Sequence, residues 1–176
     1  MDASGYHTTI NTVYPYDAKT ISKSPIKRYV LTRDSLGYIT SISYHENNSN
    51  NIYSSRITDS VVFENDSLGR IIVSTYYDLD GNVSQRKDGV AIMKYEYDDW
   101  GNISTLKFYS ASGKYTMNSR MYSKITNECD AWGNIVKEQF YDQNEKLCYN
   151  SDNAAQRIIE YDKNGFLLSI SILDAN

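Results

Sequence analysis

Apolar and polar residues alternate with period two along most of this chain, in short runs bounded by one recurring tetrapeptide. Asp-x-x-Gly stands at Asp34–Gly37, Asp66–Gly69, Asp98–Gly101, Asp130–Gly133 and Asp162–Gly165, each Asp 32 residues after the one before. The preceding runs include Met93-Lys-Tyr-Glu-Tyr97 and Arg157-Ile-Ile-Glu-Tyr161. Their first, third and fifth positions are mostly apolar, which predicts strands with one face turned inward. Between two such runs, Asp-x-x-Gly predicts a hairpin turn. The carboxylate accepts backbone amides ahead of it, two residues take the αR conformation, and Gly takes the φ > 0 position of a type I turn with a G1 bulge.

After each turn the second residue past Gly is Ile39, Ile71, Ile103, Ile135 or Leu167, and the seventh is Tyr44, Tyr76, Phe108, Phe140 or Ile172. An even and an odd offset cannot share a face of a regular strand, so either a bulge lies between them or both faces carry apolar groups. A second turn is expected at Tyr77-Asp-Leu-Asp-Gly81 and Tyr109-Ser-Ala-Ser-Gly113, degenerate at Asp142-Gln-Asn-Glu145. A short third strand follows, then a variable loop at Asn47–Asn51, Arg86–Gly89 and Asn150–Asn153. The fold class is therefore all-β: an antiparallel β-hairpin repeat array of about five units, solenoid-like. One 32-residue unit offers four or five large side chains, too few to offset the ordering of its backbone, so units must stack.

Both prolines, Pro15 and Pro25, precede the first clear turn. Residues 1–28 read as an atypical N-terminal capping unit, with Asp2-Ala-Ser-Gly5 and Tyr14-Pro-Tyr-Asp17 as degenerate turns, and 29–176 as the array.

Tyr97-Asp-Asp-Trp-Gly101-Asn-Ile103, Cys129-Asp-Ala-Trp-Gly133-Asn-Ile135, Tyr161-Asp-Lys-Asn-Gly165 and Tyr77-Asp-Leu-Asp-Gly81-Asn82 resemble the Tyr-Asp core of RHS/YD-type repeats. The pairing of one long and one short spacing is similar to repeats of bacterial, Bacteroides-type surface proteins, although the period here is longer than that of standard RHS repeats. The resemblance implies β-hairpin sheets in an extracellular or cell-surface bacterial protein, and it supplies no catalytic residues to transfer.

Composition narrows the function classes. Tyr is abundant, 17 against 4 Phe and 2 Trp, which suits half-buried pleated surfaces. A net charge of -4 argues against a nucleic-acid partner, which asks for a basic stripe. No run of 18 apolar residues crosses a membrane as a helix. The first residues lack a charged segment followed by an apolar one, which fits a cytoplasmic protein or one that begins after a removed leader. Cys129 and Cys148 match no metal or CxxC spacing and read as two buried thiols.

Asp78-Leu-Asp-Gly-Asn82 resembles the start of a calcium loop, but position twelve is Gly89, and the hairpin turn explains the same residues. No metal and no cofactor is expected. His7 and His45 are the only histidines, and His45 fills a slot held elsewhere by Tyr77, Tyr109 and Tyr141. Catalysis needs a constellation that occurs once, and repeat positions do not. The chain therefore reads as a non-catalytic structural or interaction module with a protein or glycan partner. The alternative is a carbohydrate-binding repeat protein using the aromatic row Trp100, Trp132, Tyr77, Tyr109 and Tyr141. Trp100 and Trp132 are expected to clamp onto the next unit's turn, since large aromatics are usually mostly buried. The run Phe166-Leu-Leu-Ser-Ile-Ser-Ile-Leu173 is apolar on both parities. It predicts a homodimer through residues 166–173, or cover by the N-terminal segment.

Overall fold

In the computed structural model, residues 7–10, 26–46 and 60–175 are described, with side chains at 30–43 and 60–175. Asp2–Gly5, Tyr14–Asp17, Pro25 and Asn47–Asn51, for which turns, a cap and a loop are expected, lie outside the described residues, as does Pro15. Every described element is a strand: β1 (His7–Ile10), β2 (Ile26–Arg33), β3 (Ile39–Glu46), β4 (Ser60–Asn65), β5 (Ile71–Tyr77), β6 (Ile92–Tyr97), β7 (Ile103–Tyr109), β8 (Lys124–Cys129), β9 (Ile135–Tyr141), β10 (Gln156–Tyr161) and β11 (Leu167–Leu173). The protein is an all-β antiparallel hairpin array. It divides into two compact units between Ser84 and Gln85.

In the first unit β1 to β5 pair in chain order, all antiparallel. In the second, β6 to β11 do the same. Gly37, Gly69, Gly101, Gly133 and Gly165 all have φ between 79° and 90°, the left-handed region the turns require. Each turn closes alike. At Asp98 the backbone N–H donates to Asn102 C=O (2.9 Å), and Gly101 N–H donates to Asp98 C=O (3.1 Å).

The even–odd conflict is resolved by a bulge. Tyr97 pairs with Ile103 while Glu96 pairs with Thr105, so Ser104 is an extra residue. The same shift follows the other four turns. Directly opposed residues share a face, so Ile103 opposite Tyr97 and Phe108 opposite Met93 lie on one side. The bulge gathers the apolar positions onto a single face.

In the three repeats described through this stretch, the third segment folds back on the strand just left. Tyr77 bridges Val83, Tyr109 bridges Tyr115 and Tyr141 bridges Leu147. The stretches Arg86–Gly89 and Asn150–Asn153, expected to be variable loops, are instead a third turn of the same kind, a correction to the sequence reading. Gly89, Met121 and Asn153 occupy its left-handed position, with Gly89, Met121 and Asn153 N–H each donating to the C=O three residues back, at 3.0 Å. The residues leaving this turn fill the core. In the second unit Val90, Tyr122 and Ala154 pack with Phe108 and Phe140, flanked by Met93, Leu106, Ile125 and Cys148. The rings interleave: Phe108 to Tyr122 is 5.7 Å between centroids, and Tyr122 to Phe140 is 5.0 Å. Among the described residues of the first unit, Leu31 and Val61 are the buried apolar residues, and Ser74 is buried as well.

Candidate functional site

The repeated turn decides which side chains it uses and which it presents. In each Asp-x-x-Gly turn the carboxylate Oδ1 accepts the backbone N–H two and four residues on: Leu36 and Tyr38 from Asp34, Leu68 and Arg70 from Asp66, Trp100 and Asn102 from Asp98, Trp132 and Asn134 from Asp130, Asn164 and Phe166 from Asp162, all at 2.8–3.0 Å. In the two tryptophan turns the carboxylate is further held by the amide of the following Asn, Asn102 Nδ2 to Asp98 Oδ2 at 2.9 Å and Asn134 Nδ2 to Asp130 Oδ2 at 3.0 Å. That side-chain amide, followed by the backbone donors, holds the Asp98 and Asp130 carboxyls below their ordinary value. Asp66 is also lowered, although burial acts against it; Arg70 supplies a backbone and a side-chain hydrogen bond.

The third turn position is left with a backbone amide engaged and a side chain that the turn does not need. Trp100 is 82% exposed and Trp132 80%, and Leu36 and Leu68 hold the equivalent exposed place in the first unit. The expectation that the indoles clamp onto the next turn is therefore corrected: they stand in solvent. Clamping the neighbouring turn falls to the residue after Gly. The Tyr38 ring lies where a Cβ on Gly69 would be, and Asn102 Oδ1 would come within 3.0 Å of a Cβ on Gly133. Within the second unit, successive first turns are two strand spacings apart, so Trp100 and Trp132 are separated by about 10 Å.

Within the second unit, Tyr109 and Tyr141 do not share a surface with the tryptophans. Tyr109 and Tyr141 close β7 and β9, a seven-residue strand (about 20 Å) from the tryptophan turns. Both rings are half-buried in contacts of the array itself. Tyr109 packs on Tyr115 (5.3 Å) with Lys94 Nζ 5.1 Å from its centre, and Lys124 Nζ sits 4.2 Å over Tyr141. Tyr77, at the end of β5, is likewise half-buried.

Glu145 ties this end together. It adopts φ 61° where the equivalent second turns have Gly81 and Gly113, and its carboxylate accepts Tyr115 Oη (3.0 Å) and pairs with Lys124. Burial first, then the neighbouring Tyr109 and Glu96, push the Tyr115 phenol up to about 12, so it stays neutral at physiological pH. Burial, ahead of Lys107, lowers Lys124. Burial raises both thiols, Cys129 also under Asp98 and Asp130, and Cys148 also under Asp142. Raised thiols are poor nucleophiles. At the calcium-like stretch, Asp78 Oδ1 accepts the N–H groups of Asp80 and Asn82 (3.0 and 2.9 Å), which is the hairpin turn again. Among the described residues, no three or more His, Cys, Asp or Glu side chains gather as metal ligands, and no helix is long and apolar enough to cross a membrane.

Sequence reasoning missed the positions that follow the third turn. Ala91, Ser123 and Ala155 are fully buried and recur at 32 residues, a run of small side chains that would have marked them.

No family model matches the chain, and no curated protein matches it. Among solved structures it is similar to a chain of the Photorhabdus luminescens Tc holotoxin pore, at 15% identity and a TM-score of 0.41, over 81% of this chain and 8% of that one. The protein thus spans a small fraction of the length of the structure it matches.

Proposed function

We infer that this chain is a non-catalytic interaction module of the bacterial exterior, built to hold exposed large side chains on rigid turns. The observation that carries this reading is the exposure of Trp100 and Trp132 at one turn position, with Leu36 and Leu68 at the same position in the first unit. Exposing two indoles leaves apolar surface in water, and such surface marks sites of contact with other molecules. The turn fixes the backbone through the aspartate and glycine, so the third side chain can vary without cost to the fold. A catalytic reading lacks support of this kind, because the residues concerned recur with the repeat. The bacterial and exported setting rests on the Tyr-Asp motif resemblance.

The exposure also favours the second reading, carbohydrate binding, now through the tryptophans alone. Flat indole faces stack on the apolar faces of sugar rings, whereas the Tyr109 and Tyr141 rings are engaged by the array and Tyr77 is half-buried. Arrayed glycans and immobilised bacterial cell-wall polysaccharide test both. Retention of the wild type, lost in the double variant Trp100→Ala/Trp132→Ala with its fold intact, supports binding by the row. Equal retention of the two proteins would reject the row, and turnover of any arrayed glycan would reject the non-catalytic reading.

A further inference from the structure

We propose that β11 is a self-association edge, pairing antiparallel with β11 of a second copy about a two-fold axis at Ser171. Its main-chain geometry follows from the repeat. Phe108 N–H donates to Ser123 C=O (2.9 Å) and its C=O accepts Thr116 N–H (3.0 Å). Phe140 does the same with Ala155 and Cys148, both at 3.0 Å. At this strand position the peptide groups point away from the hairpin partner. Ile172 holds that position in β11, 32 residues after Phe140. Strand alternation gives Ile170 the same outward direction. Residues beyond the bulge, Ser169 to Leu173, are in regular register with β10, and no further strand pairs with β11 among the described residues.

The side chains make this edge self-complementary. Ile170 is 52% exposed and Ile172 56%, and from Phe166 to Leu173 only Ser169 is better covered. The run has no charge, whereas β7 and β9 carry Lys107, Lys137 and Glu138. Lysines, prolines and inward charges are what normally prevent edge pairing, and β11 has none of them. Where β9 meets β10, the position equivalent to Ile170 is Glu138, satisfied by Arg157 at 3.2 Å. Ile170 asks instead for an apolar partner. The outward groups of Ile170 and Ile172 are symmetric about Ser171, so a two-fold axis there sets each Ile170 opposite the other copy's Ile172. Each such pair exchanges two backbone hydrogen bonds, about four in all, and the four isoleucines meet on one face. An isologous contact of this sort closes on itself as a dimer.

Light scattering on the full chain at tens of micromolar reads the mass, and the wild type is expected at twice 20.2 kDa. Ile170→Lys should give the single-chain mass at the same concentration, with unchanged far-UV circular dichroism. Ser171→Cys tests the register independently of that variant. At a non-hydrogen-bonded pair the two Cα atoms lie about 4.5 Å apart, within disulfide reach. Mild oxidation should therefore link Ser171→Cys into a covalent dimer, and Ser169→Cys, which would face Leu173 of the other copy, should stay unlinked. The wild type controls for Cys129 and Cys148. A wild type of single-chain mass, a dimer that survives Ile170→Lys, or preferential linkage through Ser169→Cys would each overturn the proposal.

Discussion

Glycine substitutions at the turns separate backbone cost from packing cost within one chain. Gly101 has φ 90° and open space where a Cβ would go, whereas Gly69 has φ 79° with the Tyr38 ring occupying that point. Gly101→Ala therefore meets only the left-handed penalty, about 1–2 kcal/mol for an L-residue. Part of it, about 0.4–1 kcal/mol, is offset because alanine restricts the unfolded chain. The expected net loss is about 1 kcal/mol. Gly69→Ala must also displace a tyrosine ring, and lost burial of that ring brings the cost to about 2–4 kcal/mol. Gly101→Asn should lose less than Gly101→Ala, because Asn populates this region more readily, as Asn153 does here at φ 57°. Urea unfolding followed by far-UV circular dichroism measures all three. A neutral Gly101→Ala, or a Gly69→Ala no worse than Gly101→Ala, would refute the turn geometry.

Other substitutions test the core and the electrostatics. Phe140→Ala, removing a ring 2% exposed, should cost about 3–5 kcal/mol, while Trp132→Ala should stay within about 1 kcal/mol, as measured by chemical denaturation. Ser123 is fully buried with its Oγ unpartnered, in a place where Ala91 and Ala155 stand in neighbouring units. Ser123→Ala should be neutral or raise the melting temperature, and a clear loss would show that the hydroxyl has a partner. The lowered Asp98 and Asp130 contribute stability that is complete above the unfolded carboxylate value near 3.9 and is lost as pH falls through their lower folded values. Asp98→Asn keeps an acceptor in the turn but cannot titrate, so its melting temperature should fall less steeply than the wild type's below about pH 4.

The hairpins were legible because Asp and Gly carry the turn chemistry themselves; two offsets of opposite parity left a bulge or apolar groups on both faces, and the register chooses the bulge. The third turn was hidden for the opposite reason. Arg86…Gly89, Asn118…Met121 and Asn150…Asn153 share a conformation but no residue pattern. In two of them an Asn side chain replaces the Asp: Asn118 Oδ1 accepts Arg120 N–H at 2.9 Å, and Asn150 Oδ1 accepts Asp152 N–H at 2.9 Å. In the third, Asp88 caps from within, accepting Val90 N–H at 3.1 Å. With that turn unrecognised, the buried residues after it were also missed. The tryptophans were misplaced because burial preference describes a residue type on average. Their exposure follows from a turn that engages only their backbone amides.

Both tryptophans of the chain stand exposed on the turns. Acrylamide quenching of their fluorescence tests that exposure directly, since Trp100 and Trp132 are the only emitters of this kind. The native protein is expected to be quenched nearly as efficiently as the urea-unfolded chain, with little red shift on unfolding. A blue-shifted native emission protected several-fold from the quencher would contradict it.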